Sequence, residues 1–170
     1  IHPRSGEYLL MQKGTGEKIK QVLFQTPSKK SKGILVTRTY HNNLLLGPDA
    51  IDEEEIDLGT HIERLAEIYK LGLKSVKDDV IDLKKFIRSF AGLRPASSTG
   101  DFIIENTKTS GFINVVGIQS PGITSSPEVA KIVENILKDL NLKLEDDPSY
   151  NPYRKPIIEY KELEDFNKVK

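Results

Sequence analysis

The sequence GFINVVGIQSPGITSSP at residues 111–127 decides the fold of this chain. Its first part, Phe112–Val116, is β-branched and aromatic apart from one asparagine and predicts a strand, and the two glycines that follow indicate a tight turn. Ser126 is the predicted N-cap of a helix whose first residue is Pro127. Apolar residues then recur at helical spacing and predict a helix: Val129, Ile132, Val133, Ile136, Leu137 and Leu140.

The turn at Gly117–Thr124 has the features of a ligand site. A helix N-terminus offers unpaired N–H groups and the positive end of a dipole, and glycine leaves the backbone open to a ligand. The turn therefore predicts binding of an electron-rich or anionic group. The alternative is a strand–turn–helix unit that binds nothing, since short motifs of this kind are weak signals.

Composition limits the class of protein. The chain has 170 residues, of which 37% are hydrophobic, enough for one core. Lys+Arg and Asp+Glu are both 25, so nothing indicates a nucleic-acid or membrane partner. The absence of cysteine excludes disulfides, thiolate zinc sites and iron–sulfur ligation within this segment. The unusual beginning and end predict a fragment excised from a longer protein.

The remaining pattern predicts an α+β fold, a mostly antiparallel mixed sheet flanked by helices. A helix with a Thr60–Glu63 capping box is expected to run to about Lys74, with Ile62 facing inward. The predicted strands are Glu7–Met11, Lys18–Gln25, Gly33–Tyr40, Asn43–Gly47, Phe86–Gly92, Asp101–Asn106 and Phe112–Val116. The third and fourth of these are expected to form a hairpin, and the last two are expected to pair with each other. The charged, proline-rich tail from Asn141 predicts a linker or a strap over another surface.

Arg94 is the first candidate for chemistry. It follows the apolar strand that is predicted to end at Gly92, and Pro95 disfavours helix at its position. A guanidinium held at a strand end can bind a carboxylate or phosphate at two points. A solvated surface arginine is the alternative.

His41 and Lys108 are weaker candidates. His41 lies at a strand junction and could perform acid–base chemistry, although a turn residue that bonds its own backbone would look the same. Lys108 could add positive charge near an anion or simply lie at the surface. The other two histidines, His2 and His61, are expected to be solvated, and the spacing of the three indicates no metal site.

Several segments together resemble the C-terminal half of FAD-dependent oxidoreductases of the D-amino-acid oxidase superfamily. The segments that carry the resemblance are AGLRP at 91–95, DFIIE at 101–105, GFINVVGIQSPGIT at 111–124, PRSGEY at 3–8, GILVT at 33–37 with His41, and NLLLGP at 43–48. Their order agrees throughout, and the match covers nearly the whole chain. The bacterial glycerol-3-phosphate dehydrogenase branch is the most similar. In that branch a tail like YNPYR, here at 150–154, leads to a cysteine-rich ferredoxin-like domain.

The resemblance implies a role for each matched residue. Arg94 would lie over the flavin and bind the anionic group of the substrate. Gly117, Ser120, Gly122, Ile123 and Thr124 would approach the flavin ring, where the helix N-terminus stabilises the negative charge that develops on reduction. His41 would help to remove the hydroxyl proton. Lys108 lies outside the matched segments, and its role in substrate binding is expected from its charge alone.

The resemblance also implies an organisation. Residues 1–110 would be substrate-domain strands and a helix, 111–140 the last strand, turn and helix of the FAD domain, and 141–170 a linker or strap. The chain has no G-x-G-x-x-G fingerprint, so the N-terminal Rossmann segment would be missing, FAD would bind poorly or not at all, and the isolated chain would be inactive. Further expectations are a C-terminal iron–sulfur-type domain and an artificial dimer of the fragment. The parent protein is expected to be cytoplasmic and peripheral to the inner face of the membrane.

The function implied is oxidation of sn-glycerol 3-phosphate to dihydroxyacetone phosphate by hydride transfer to flavin. Three alternatives stay open. One is an FAD-dependent enzyme for a 2-hydroxy acid, such as L-2-hydroxyglutarate, or an amino acid, because guanidinium suits carboxylate and phosphate alike. The second is a module that binds a small anion without redox chemistry, and the third is an interaction or scaffold domain.

Overall fold

The computed structural model describes residues 1–27, 33–77 and 79–155. Within these ranges, seven strands and two helices follow one another, with short 3-10 turns at Thr15–Lys18 and Leu83–Lys85. The elements are β1 (His2–Lys13), β2 (Leu35–Arg38), β3 (Asn43–Gly47), β4 (Ile51–Asp52), α1 (Ile62–Leu73), β5 (Phe86–Ala96), β6 (Ile103–Asn106), β7 (Ile113–Val116) and α2 (Gly122–Asp139).

Strand β1 is the centre of the larger sheet. One edge of β1 pairs antiparallel with β5 over nearly its whole length, from His2 opposite Ala96 to Met11 opposite Phe86. Its other edge pairs with β4 near Arg4 and with β3 from Leu9 onwards, and β2 continues the sheet beyond β3. The predicted α+β fold with a mostly antiparallel sheet is confirmed.

Strands β6 and β7 form a separate antiparallel hairpin, with Ile103 opposite Val116 and Asn106 opposite Ile113. Helix α2 follows β7 and packs against β6. The predicted pairing of these two strands is confirmed. The domain boundary predicted after residue 110 falls between these two paired strands and stays a prediction.

The core lies between one face of the larger sheet and helix α1. Residues of a strand alternate between the two faces of a sheet, so every second side chain of β1, β2 and β3 points to the same side. Burial of each such side chain contributes about 1.5–3 kcal/mol. The core residues are Leu9, Met11, Val36, Leu44 and Leu46 from the strands, Ile68 from α1, and Ile19, Ile34 and Ile81 from the connections.

The predicted strand at Lys18–Gln25 is wrong. The chain there forms the 3-10 turn at Thr15–Lys18, and one isolated bridge joins Leu23 to Val36. The N–H groups of Gly14 and Gly16 both donate to the carbonyl of Asn42, at 2.9 Å each. These bonds hold Gly14 and Gly16 against the β2–β3 turn, and the residues that follow form no regular strand.

The capping box predicted for α1 is also wrong. The helix begins at Ile62, and His61 is its N-cap. The N–H of His61 donates to Glu7 Oε2 of β1 at 3.0 Å, while the Thr60 hydroxyl lies 3.0 Å from that of Ser89. A distant carboxylate therefore replaces the local cap, and Ile62, at 73% exposure, does not face the core.

Helix α2 begins five residues earlier than predicted. Its first residue is Gly122, so Ser126 is not the N-cap and Pro127 lies inside the helix. Proline lacks the N–H that would bond the carbonyl four residues before it, here that of Ile123. The Ser126 hydroxyl donates to this carbonyl at 2.8 Å, which satisfies the acceptor and makes the proline tolerable.

Residues 142–155 form no helix or strand and are exposed throughout. This segment covers half of the predicted linker at 141–170, and residues 156–170 lie outside the described residues. A strap over another surface stays a prediction.

Candidate anion site beside a glycine-containing turn

Arg94 lies within a strand rather than after one. Strand β5 continues past the predicted end at Gly92 to Ala96, and Arg94 is the direct partner of Arg4 in β1. Pro95 fits because β5 pairs on one side only among the described residues, and an edge strand tolerates a missing N–H. Pairing with β1 therefore fixes the backbone of Arg94.

The guanidinium of Arg94 is held by backbone carbonyls. Its Nη2 donates to the carbonyl oxygens of Asp49 at 2.7 Å and Ser5 at 3.1 Å. No carboxylate among the described residues lies within ion-pair distance of it, and burial lowers the pKa of this arginine from its ordinary value. A half-buried positive charge therefore keeps Nε and Nη1 available for an anionic ligand.

Arg94 faces a cavity of about 470 Å³. The neighbouring Arg4 is neutralised, because its Nε and Nη2 donate to the Asp52 carboxylate at 2.5 and 3.2 Å. This contact raises the pKa of Arg4 and lowers that of Asp52. The two arginines thus differ, and Arg94 is the cation of this cavity that lacks a carboxylate partner within the described chain. The lining includes Arg4, Tyr8, Pro48, Asp49, Arg94 and Ser120.

Gly6 makes room for the Arg94 side chain. A Cβ at Gly6 would lie 2.8 Å from Arg94 Nη2 and 2.8 Å from Pro48 Cβ, well inside van der Waals contact. Its cross-strand partner is Gly92, where a Cβ would meet nothing within 4 Å. The two glycines therefore form a matched pair, of which only Gly6 bears on the site.

We expect Gly6→Ala to displace the Arg94 guanidinium. This displacement should raise the half-saturating concentration of an anionic ligand of the cavity by about tenfold or more, as misplaced binding groups do. Equilibrium titration of the wild-type and variant proteins with such a ligand measures this concentration. Gly92→Ala is the matched control and should change it less than about twofold. Equal behaviour of the two variants would contradict the assignment.

The turn Gly117–Thr124 contributes backbone donors. The N–H of Gly122 donates to the Gln119 carbonyl at 2.6 Å, whereas those of Ile123 and Thr124 have no hydrogen bond within the described chain. The Ile123 side chain is 93% exposed. The first turn of α2 therefore presents open N–H groups, as a helix N-terminus does.

Local packing and backbone conformation explain why residues 117 and 122 of the turn are glycine. Gly117 has a φ of 73°, and a Cβ there would lie 3.1 Å from Ser97 Cβ. A Cβ at Gly122 would lie 2.5 Å from Ile118 Cγ2. Packing within the chain therefore requires glycine at both positions, and direct contact of Gly117 and Gly122 with a cofactor stays a prediction.

Gln119 and Ser120 separate two cavities. They line the cavity of Arg94 and also a second one of about 680 Å³, bounded by the β5–β6 connection and α2. Open N–H donors and space therefore meet at the same turn, and the contact of this turn with the edge of a flavin stays a prediction. In the described ranges, no group of three or more His, Asp or Glu side chains could hold a metal ion.

His41 and Lys108 are not brought to Arg94. His41 is exposed in the β2–β3 turn, with its ring 5.1 Å from that of Tyr40. Strand β3 runs from that turn to Pro48 beside the cavity, about 13 Å at the usual rise per residue. Lys108 is exposed in the turn between β6 and β7. Roles for these two residues stay predictions.

A partly buried ion network, which no sequence pattern predicted, lies next to Arg94. Arg64 of α1 donates from Nε and Nη2 to the two carboxylate oxygens of Asp49, at 2.7 and 2.8 Å, and from Nη1 to Glu53 at 3.0 Å. Glu7 is fully buried, and its Oε1 lies 2.8 Å from His61 Nδ1. The sequence signal was weak: a glutamate among apolar residues of a strand, and an arginine two residues into a helix.

The His61 side chain is 46% exposed, in agreement with the expected solvation, and it also contacts Glu7 at the start of α1. The hydrogen bond to Glu7 raises the pKa of His61, and the negative charges of Glu7 and Asp57 raise it further. Desolvation and the charge of Arg64 lower it, but the net shift is upward. A pKa that is raised on folding stabilises the fold below the unfolded value, about 6.5, and this contribution is lost as pH rises through the folded value.

We therefore expect the urea midpoint of the wild-type protein to fall between about pH 6 and pH 8 more steeply than that of His61→Gln, because only the wild type loses a proton from this position. Unfolding curves at several pH values measure the difference. Equal pH slopes for the two proteins would show that the His61–Glu7 contact contributes nothing to this pH dependence.

Residues 1–136 match the family profile described as DAO, FAD dependent oxidoreductase. This match covers most of the chain, which therefore belongs to the family of DAO-type FAD-dependent oxidoreductases. The family predicted from the sequence is confirmed.

Two relatives show which proteins of this family the chain resembles in sequence. The chain is 45% identical over 170 residues to a glycerol 3-phosphate dehydrogenase of Caloramator mitchellensis, covering 99% of this chain and 35% of that protein. It is 33% identical over 153 residues to a glycerol 3-phosphate oxidase of Mycoplasma genitalium, covering 88% of this chain and 38% of that protein. The chain thus spans little more than a third of the length of each of these two relatives.

Solved structures agree on the fold. The L-α-glycerophosphate oxidase of Mycoplasma pneumoniae, solved with FAD bound, superposes with a TM-score of 0.75 at 28% identity, covering 92% of this chain and 41% of that one. A glycine oxidase of Geobacillus kaustophilus gives 0.65 at 17% identity, covering 86% and 37%. In the described part of the chain, no helix has the length and apolar character needed to cross a membrane.

Proposed function

We propose that this chain is the substrate-side part of an FAD-dependent enzyme that oxidises sn-glycerol 3-phosphate to dihydroxyacetone phosphate. The observation that carries the proposal is the Arg94 guanidinium, half-buried, held by two carbonyls and without a carboxylate partner in the described residues. Such a charge needs an anion, and the cavity beside it has room for a small one.

Arg94 binds and orients the substrate. Its Nε and Nη1 donate to two oxygens of the phosphate and place the carbon skeleton toward the turn at Gln119–Ser120. Tyr8 closes the cavity with a ring stacked on Phe90, 4.9 Å between centroids. These contacts exclude water from one side of the substrate, which strengthens the ion pair.

Ser120, Ile123 and Thr124 would border the flavin. FAD, when bound, supplies the acceptor for the hydride that leaves the carbon carrying the hydroxyl. The open N–H groups at the start of α2 stabilise negative charge at the edge they face. Because the chain lacks a dinucleotide fingerprint, we expect the isolated chain to bind FAD poorly and to be inactive. A stoichiometric yellow chromophore in the purified chain would contradict this.

The remaining expectations are parts of the same proposal. The missing partners would be an FAD-binding segment and a cysteine-rich iron–sulfur-type domain of the same protein, and the isolated chain could dimerise through the surface that they normally cover. The location would be cytoplasmic, at the inner face of the membrane. His41→Asn and Lys108→Ala would test whether these side chains take part in proton removal and anion binding.

A 2-hydroxy acid or amino acid is the second candidate substrate, since guanidinium binds carboxylate equally well. Glycine oxidase and L-proline dehydrogenase structures share the fold, at 17% and 18% identity. The relatives of higher identity act on glycerol 3-phosphate by name, which favours the phosphate. A non-redox anion-binding module is the third candidate.

The experiment is anaerobic titration of the full-length protein. Its flavin absorbance is followed on addition of glycerol 3-phosphate, then of L-2-hydroxyglutarate. Bleaching by glycerol 3-phosphate alone supports the proposal, and bleaching by the hydroxy acid alone transfers the site to the second candidate. A full-length protein without flavin would rule out both and leave the anion-binding module.

A further inference from the structure

The position of Arg94 depends on two backbone carbonyls, those of Ser5 and Asp49. Ser5 belongs to β1 and is fixed by the sheet, where it pairs with Leu93 and Ile51. Asp49 follows β3 and lies outside the strands. Something other than sheet pairing must therefore hold the second carbonyl in place.

The side chain of Asp49 is held at both carboxylate oxygens. Its Oδ1 accepts from Arg64 Nη2 at 2.8 Å and from the N–H of Glu7 at 2.8 Å, and its Oδ2 accepts from Arg64 Nε at 2.7 Å. A two-point arginine–carboxylate pair has a defined geometry as well as strength. Asp49 is thereby fixed between α1 and β1.

Arg64 contacts both residues whose carbonyls hold Arg94. Besides Asp49, its Nη2 lies 3.3 Å from the Ser5 hydroxyl oxygen. Arg94 reaches the backbone oxygens of Ser5 and Asp49, and Arg64 reaches their side chains. The Arg64 side chain is only 17% exposed, and Glu53 holds its remaining arm at 3.0 Å. It is therefore built into the structure rather than solvated.

We propose that Arg64 is a positioning residue for Arg94, acting through Asp49 and Ser5. This proposal rests on the proposed function, in which Arg94 binds the substrate anion. Arg64 itself is separated from the cavity by Asp49, so it contacts no substrate. Its role is to keep the Asp49 carbonyl where it accepts from Arg94, so that the other donors of Arg94 point into the cavity.

The test is Arg64→Lys in the full-length flavoprotein, since lysine keeps the charge and loses the two-point geometry. We expect the half-saturating glycerol 3-phosphate concentration for flavin bleaching to rise about 10- to 100-fold, with the rate at saturation changed far less. Arg88→Lys, an exposed arginine on β5, is the matched control and should change neither quantity. An unchanged half-saturating concentration in Arg64→Lys overturns the proposal.

A double-mutant cycle separates positioning from general destabilisation. If Arg64 acts through Arg94, Arg64→Lys should add little to the effect of Arg94→Lys. Effects that multiply fully in the double variant would mean that Arg64 acts independently of Arg94, and would overturn the proposal. Asp49→Asn keeps the backbone carbonyl but weakens the two-point pair, so it carries the same test if Arg64→Lys does not fold.

Failure of the proposed function is distinguishable from failure of this inference. If glycerol 3-phosphate does not bleach the flavin of even the wild-type protein, the proposed substrate is wrong. The position of Arg94 is then read directly from crystal structures of the wild-type and Arg64→Lys proteins. Loss of the contact between Arg94 Nη2 and the Asp49 carbonyl supports positioning. Retention of this contact in the variant overturns it.

Discussion

Arg94→Lys in the full-length protein is expected to lower kcat/KM for glycerol 3-phosphate by about 100- to 1,000-fold. Loss of one partner of a desolvated, hydrogen-bonded ion pair costs about 2–5 kcal/mol, and each 1.4 kcal/mol is a factor of ten. Lysine keeps the charge but offers a single ammonium, which cannot bind two carbonyls and two phosphate oxygens at fixed angles.

Steady-state oxidation with an artificial electron acceptor measures the Arg94 effect, and the flavin spectrum shows that the cofactor is still bound. Arg88→Lys is the control, because Arg88 lies on the same strand and is exposed. A loss below about threefold in Arg94→Lys would remove Arg94 from the substrate site.

Glu7→Ala is expected to have the largest effect on stability. Glu7 is completely buried, caps His61 at the start of α1 and lies 3.1 Å from Arg64 Nε. Its removal takes this acceptor from the His61 N–H and from Arg64, which keeps Asp49 and Glu53, and a hydrogen bond to a charged group contributes about 1.5–3 kcal/mol. Urea denaturation of the chain, followed by circular dichroism, gives the change in unfolding free energy.

Two variants interpret the Glu7 result. Glu7→Gln keeps an oxygen for the His61 N–H but loses the charge, so it should be less destabilising than Glu7→Ala. Glu54→Ala removes an exposed carboxylate and should stay within about 0.5 kcal/mol of wild type. A Glu7→Ala chain as stable as Glu54→Ala would show that the buried network does not support α1.

Local patterns predicted those elements whose partners are close in sequence. The β2–β3 and β6–β7 hairpins follow from apolar strands on either side of short turns, and both are confirmed. The alternation in Lys18–Gln25 satisfied the same rule, yet hydrogen bonds from Gly14 and Gly16 to Asn42 dictate another path. A period of two describes a strand only where a neighbouring strand is available to pair with it.

The candidate site likewise contains residues that local sequence patterns could predict and residues that they could not. Arg94 and the turn at Gly117–Thr124 could be identified because glycine, proline and arginine carry strong local preferences. The pairing of Asp49 with Arg64 could not, because it depends on the packing of α1 against β1, which no local pattern specifies. Glu7 was equally hidden, since a glutamate in an apolar strand is interpretable only when its partners are known.

The long pairing of β1 with β5 has a consequence for the order of events during synthesis. The ribosome completes β1 more than seventy residues before Phe86, its first partner in β5, which is several seconds at roughly 5–20 residues per second. During that interval β1 can pair only with β3 and β4. Closure of the sheet is therefore a late, non-local step, and the nascent chain exposes the edge of β1 to other chains until β5 emerges.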